Sequence, residues 1–300
     1  MKAVLIRNLS AIFLLSLASC TEKKETAPDF DSAFAFKTLQ KLVAFGARPA
    51  GSENNFKQAE FIARTAMEFG AAVEYQEFTD MTPEGKKKMI NITAEIKGGS
   101  PEFIVAGCHF DTKKFSSPSS FNGANDGASG TAVLLAAIKA FKDSGKVPRY
   151  SIRFVFFDGE ECLYSYSKND GLHGSRYYVK TLEESGELKK CKSAIIVDMV
   201  GDKELVITLS RDTASGMASM LFDAARSCEK EKYVSWHSMS IYDDHVPFQQ
   251  KGIPSINLID FNFGPENSYW HSPDDNLSKV SSESLNVVGR ILLCFIYKLP

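Results

Sequence analysis

Short apolar runs, each ending in an acidic residue or a histidine, constrain this chain most. Phe103-Ile104-Val105-Ala106-Gly107 leads into Cys108-His109-Phe110-Asp111. Residues 152–157, apolar but for Arg153, lead into Asp158-Gly159-Glu160-Glu161, and residues 194–197 into Asp198-Met199-Val200-Gly201. A continuous apolar run of this length predicts a strand buried on both faces. Residues 131–141, 175–184 and 213–227 lie between and after these runs with helical spacing of their apolar side chains. Strands alternating with helices predict an α/β fold, with a mostly parallel central sheet sandwiched by helices. In such a sheet the chemistry gathers in loops at the carboxyl ends of the strands. The acids and histidines at the run ends are therefore the candidate site.

The remaining pattern fits the same plan. Residues 31–45 and 54–69 read as helices, joined by a loop of turn formers over 46–52. Residues 73–78 and 89–96 alternate as paired strands do. The charged run 84–88 between them reads as a solvated turn. Residues 205–209 and 253–259 are further strands, and 282–297 a closing helix. No repeat or long linker divides the chain, so residues 31–300 are expected to form a single catalytic domain.

The amino terminus reads differently. Lys2 and Arg7 flank a short apolar run that ends in Leu17-Ala18-Ser19-Cys20. That is a secretory signal over residues 1–19, and its last residues resemble a bacterial lipobox. The resemblance implies cleavage before Cys20 and acylation of that residue. Residues 20–30 would then be a lipidated cysteine and its tether, with the protein held at the bacterial cell envelope, facing the periplasm. Without Lys2 and Arg7 the chain has 33 basic against 37 acidic residues, a net charge of −4. Nothing in that balance suits nucleic acid. Cys108, Cys162, Cys191, Cys228 and Cys294 remain, an odd number without Cys-x-x-Cys pairs. That argues against a disulfide framework or a thiolate metal site.

Histidine and carboxylates without paired cysteines suit a catalytic zinc with an open position. Asp126 sits in a glycine-rich loop ahead of a helix, where it could ligate or cap the helix. Glu160 and Glu161 are neighbours at a strand end, so their side chains diverge. One can ligate while the other handles protons. His271 follows Tyr269-Trp270, whose bulk suggests a pocket wall. Asp111 could orient a ligand from behind. His173 and His237 read as structural.

The order His-x-Asp, Asn-Asp-Gly, Asp-Gly-Glu-Glu, Asp-Met-x-Gly and Trp-His resembles the zinc aminopeptidase clan over about residues 40–300. Within it the chain is most similar to the glutaminyl cyclases. Phe156-Phe157-Asp158-Gly159-Glu160-Glu161, Asp243-Asp244-His245-Val246-Pro247-Phe248, Gly252-Ile253-Pro254 and Trp270-His271 carry that likeness. The resemblance implies a zinc-aminopeptidase-like (phosphorylase/hydrolase-like) fold. It implies one zinc on Asp126, Glu161 and His271, with two ions as the alternative. His109, Asp198 and Asp111 stand either at a second metal or behind the ligands. Glu160 and Asp243 are the implied catalytic pair, because aminopeptidases of the clan usually carry Ser where this chain has Asp243. Trp270, Tyr166 and His245 are expected in the substrate pocket.

Three departures stand out. Animal cyclases have Trp where Tyr166 falls, a Thr-Asp-Ser loop where this chain has the more aminopeptidase-like Asn125-Asp126-Gly127, and a Cys near Thr131 that pairs with the equivalent of Cys108. The resemblance implies conversion of the N-terminal glutamine of peptides or proteins to pyroglutamate, releasing ammonia. A two-zinc aminopeptidase is the runner-up. A non-catalytic binding lipoprotein and a receptor-type domain are further alternatives.

Overall fold

The computed structural model describes residues 26–115 and 121–300, so the signal segment and Cys20 lie outside the described residues. The first described elements are helices α1 (Ser32–Val43) and α2 (Glu53–Glu68). Each starts at a side chain that accepts an otherwise unpaired N–H. Asp31 accepts from Phe34 N at 2.9 Å and Ser52 from Asn55 N at 3.2 Å. Strands β1 (Ala72–Thr82) and β2 (Gly85–Ile96) follow as an antiparallel hairpin. The charged run was expected in the turn, but Lys86, Lys87 and Lys88 lie in β2, paired with Met81, Asp80 and Thr79. Only Pro83 and Glu84 make the turn. Lysines suit this position because β2 pairs with β4 only over residues 92–96, so the far side of 86–88 is an open edge where charge discourages further pairing.

The chain continues through β3 (Ser100–His109), α3 (Ala128–Ser144), β4 (Tyr150–Phe157), α4 (His173–Glu184) and β5 (Cys191–Asp198). Then come β6 (Ile207–Leu209), α5 (Ser215–Ser227), β7 (Val234–Trp236), α6 (Val246–Gln250), β8 (Ser255–Ile259) and α7 (Ser282–Lys298). Six strands form one sheet in the order β1-β2-β4-β3-β5-β8. β3 runs parallel to β4 and β5, and β5 to β8, while the β1-β2 and β2-β4 pairs are antiparallel. β6 and β7 pair apart from this sheet.

β4 shows why the apolar runs are continuous. Phe154 and Phe156 point to the face covered by α1, α2, α3 and α7. Val155 and Phe157 point to the other, against Tyr178 of α4 and Phe248 of α6. Side chains alternate between faces, and here both faces are dry. Each buried phenylalanine contributes roughly 1.5–3 kcal/mol.

After β3 the chain moves to β4 on one side, then to β5 on the other. That reversal opens a crevice at the carboxyl ends of these strands. His109 ends β3, Asp158 follows β4 and Asp198 ends β5. No helix among the described residues is long and apolar enough to cross a membrane.

Candidate active site and metal centre

Asp126 sits at the centre of the crevice. Its Oδ1 lies 3.1 Å from His109 Nε2 and its Oδ2 3.2 Å from His271 Nε2. His109 Nε2 also stands 3.1 Å from Asp198 Oδ1, and His271 Nε2 3.1 Å from Glu161 Oε2. Two groups of potential ligand atoms result, each within 4.8 Å: His109, Asp126 and Asp198, and Asp126, Glu161 and His271. Asp126 belongs to both. It is not the helix cap, because Gly127 holds that place at the start of α3 with no side-chain cap bond. Gly127 has φ 87°, and a Cβ there would lie 2.5 Å from the Asp111 carbonyl oxygen. Only glycine lets this loop close.

Long-range hydrogen bonds fix these loops. The buried Asp275 carboxylate accepts from Asn125 N at 2.6 Å and Asp126 N at 3.0 Å. Asn125 Oδ1 accepts from Gly201 N at 2.6 Å, tying this loop to the end of β5. The Arg48 guanidinium is fully buried and donates to the carbonyls of Phe110, Gly46, Asn122 and Gly123. Asp111 accepts from Glu160 N at 3.1 Å and Glu161 N at 3.4 Å, and its Oδ1 lies 3.5 Å from His109 Nδ1. Asp158 accepts from Asn55 Nδ2 and Ile90 N, both at 3.0 Å. The sequence gives Arg48 and Asp275 no role, since apart from Gly46 the partners of the Arg48 guanidinium are 62–75 residues away and those of Asp275 149–150.

A cleft of about 690 Å³, including its open mouth, lies against this cluster. Asp126, Glu160, Glu161, Asp198, Asp243, Tyr166, Trp270 and His271 line it. Glu160 Oε1 accepts a hydrogen bond from the Tyr166 hydroxyl at 2.7 Å. Asp243 accepts from Asn257 Nδ2 at 2.6 Å and Asp244 N at 2.5 Å. The Trp270 ring stacks on His271 with centroids 4.0 Å apart. His271 has φ 52°, an unusual value for a side chain with Cβ, and such strain clusters at functional sites.

Two histidines stand differently from their sequence reading. His245 is buried outside the cleft, with neither ring nitrogen hydrogen-bonded. It is the residue before α6, and its ring packs inward as that helix begins. His237, read as structural, lines the cleft edge-on to Phe261 at 5.9 Å. His173, at the start of α4, bonds Asp80 at 2.7 Å. The described cysteines are free, and Cys108 Sγ faces Thr131 Oγ1 at 3.6 Å.

The electrostatics fit a cation. Burial, then the Asp126 charge, raises the Glu161 pKa. Burial raises Glu160 well above the usual carboxylate range. Asp198 is pushed up to about 7, chiefly by burial and against the pull of His109. Burial opposes charge on His271, but Glu161 and Asp126 outweigh it and raise its pKa to about 10. Burial likewise opposes charge on His109, yet Asp198, Asp111 and Asp126 raise it well above the ordinary value. The cluster thus balances its carboxylates with protons on imidazoles, the charge a divalent cation supplies when it displaces those protons. Asp126 Oδ2 and both Glu161 carboxylate oxygens are buried without a hydrogen bond. Asp126 Oδ2 and Glu161, this close to His271 Nε2 and without a hydrogen bond to it, suit a shared zinc, which accepts nitrogen and oxygen donors.

Residues 91–296 match the model of peptidase family M28. The glutaminyl-peptide cyclotransferase of Drosophila melanogaster is 26% identical over 277 residues, covering 83% of this chain and 76% of that protein. The aminopeptidase YwaD of Bacillus subtilis is 30% identical over 239 residues, covering 76% of this chain and 47% of that protein. The crystal structure of an Acidobacteriales bacterium glutaminyl cyclase superposes with a TM-score of 0.87 at 31% identity, over 93% of this chain and 98% of that one. The chain therefore belongs to peptidase family M28 and, within it, stands with the glutaminyl cyclases.

Proposed function

We propose that this protein is a glutaminyl-peptide cyclotransferase, converting N-terminal glutamine of peptides and proteins to pyroglutamate with release of ammonia. One observation carries the reading: Glu160 shares its cleft with a second non-ligating carboxylate, Asp243, beside the complete Asp126, Glu161 and His271 trio. Those three residues would hold one zinc ion. Zinc supplies a Lewis acid for the substrate's γ-carbonyl. His109 Nε2 and Asp198 Oδ1 bond each other directly at 3.1 Å, and in this reading that bond stands where a second ion would sit.

The substrate's α-amine attacks its own γ-carbonyl, so holding the two in line removes much of the entropic barrier. Glu160 takes a proton from that amine and gives it to the departing amide nitrogen, which leaves as ammonia. Its raised pKa suits a group that must both accept and return a proton. Asp243 adds negative charge near Glu160, opposing its ionisation. Trp270 walls the reacting centre from water.

The test offers the chain from residue 21 onward Gln-Ala and Leu-Ala peptides. Ammonia and pyroglutamyl-alanine are the expected products. Free leucine without pyroglutamate would establish the second reading, a two-ion aminopeptidase. That reading draws its support from the bridging position of Asp126 between His109 and His271.

The placement of the protein belongs to the same proposal. Cys20 would carry the lipid that holds it to the bacterial envelope, facing the periplasm. Residues 1–19 would be removed, residues 20–30 would tether, and residues 31–300 would form the catalytic unit.

A further inference from the structure

Tyr166 lies in the connection between β4 and α4, which has little regular structure yet is tightly tied. The Asp170 carboxylate accepts from Leu163 N at 2.5 Å, Tyr164 N at 2.9 Å and Ser165 N at 3.1 Å. Ser167 and Asp170 pair backbone to backbone, and Arg176 donates to the Ser167 and Gly171 carbonyls. Gly171 has φ 78°, and a Cβ there would lie 2.5 Å from Tyr166 Cδ1. The tyrosine ring therefore rests directly on a glycine that nothing larger can replace. Its outer side meets Tyr242, with centroids 5.6 Å apart.

This scaffold delivers one hydroxyl to one oxygen. Tyr166 OH donates to Glu160 Oε1 at 2.7 Å. A carboxylate swings freely about its last torsion, and a single strong bond removes that freedom. With Oε1 occupied, a proton taken from the substrate amine must sit on Oε2. From there it passes to the leaving nitrogen, and Glu160 returns to its starting state. Burial, then the Glu160 charge, raises the phenol pKa, so the hydroxyl remains a donor throughout.

We propose that Tyr166 is a positioning residue that fixes the Glu160 carboxylate and directs proton transfer to its Oε2 oxygen, while its ring and Tyr242 narrow the mouth of the cleft. The inference rests on the cyclotransferase reading. It also assigns a task to the hydroxyl that a tryptophan at this place lacks.

The test uses the full chain and a Gln-Ala peptide, following ammonia release. Tyr166→Phe keeps the ring and removes only the hydroxyl. Its kcat should fall ~10–100-fold, the range one hydrogen bond to a charged group commands, with KM within about twofold. Zinc content and the urea midpoint should not move. Tyr242→Ala should instead raise KM, because it removes wall and not alignment. In a Glu160→Gln background, Tyr166→Phe should add little further loss, since the group it positions no longer carries the proton. A Tyr166→Phe variant with wild-type kcat, or full additivity with Glu160→Gln, overturns the inference. Wild-type protein that forms no pyroglutamate overturns the functional reading and this inference with it.

Discussion

Arg48→Met tests whether the metal loop is held from behind. The guanidinium is 0% exposed, and burial lowers its pKa to about 10 despite Asp275, Asp126 and Asp111. Its acceptors are backbone carbonyls. Phe110 O also receives Gln58 Nε2 at 2.9 Å and keeps a partner after substitution. Gly46 is half-buried, so water can replace its bond. The Asn122 and Gly123 carbonyls lose their bonds to a charged donor. At roughly 1.5–3 kcal/mol each, the loss is about 3–6 kcal/mol. That is a large share of the ~5–15 kcal/mol typical of a folded protein. With a urea slope of ~3 kcal/mol/M, the unfolding midpoint should drop by about 1–2 M. The loop carries Asp126, and a Cβ on Gly123 would lie 2.4 Å from the Asp126 carbonyl oxygen. Zinc affinity should therefore fall ~10–100-fold, as when a ligand's support is removed. Arg48→Lys keeps the charge but not the fork, and should recover less than about half of the loss. Circular dichroism in urea and zinc competition with a chromogenic chelator read both effects. A midpoint within about 0.3 M of wild type would refute the reasoning, because the two carbonyls would then have other partners.

Other outcomes follow from the same geometry. Glu160→Gln should retain fold and zinc while losing ~10²–10⁴ in turnover, measured as ammonia release. Metal analysis should find about one zinc per chain, lost on His271→Ala and kept on His109→Ala; two tightly held ions would contradict the His109–Asp198 argument. Cys20→Ser should move the protein from membrane to soluble fractions, because the acyl chains supply the affinity.

The architecture was legible because its signal is local. Runs such as 103–107 and 154–157 are continuous because both sheet faces are covered, and that shows in the residue order itself. The site acids were legible for the same reason. A chain that turns away from a buried strand at His109, Glu160 or Asp198 must place those polar groups at the strand end, whereas the metal trio of Asp126, Glu161 and His271 was implied by the family resemblance and not by that pattern. Short pieces were not legible. β7 has three residues and α6 five, too few to show a period. The lysine run read as a turn because charge is the same signal in a loop and on a sheet edge, and only pairing with β1 separates them.

The sequence by itself determined which residue types stand at which strand ends, and hence the metal and proton chemistry on offer. Tertiary structure alone decided which groups hold them. Arg48 reaches the Asn122 and Gly123 carbonyls, Asp275 reaches the Asn125 and Asp126 amides, and Tyr166 reaches Glu160 from a loop with no period of its own. It also turned His245 inward and brought His237 to the cleft. A residue's place along the chain follows from local pattern. The direction of a side chain leaving an irregular segment depends on what packs against it, and those partners come from far along the chain.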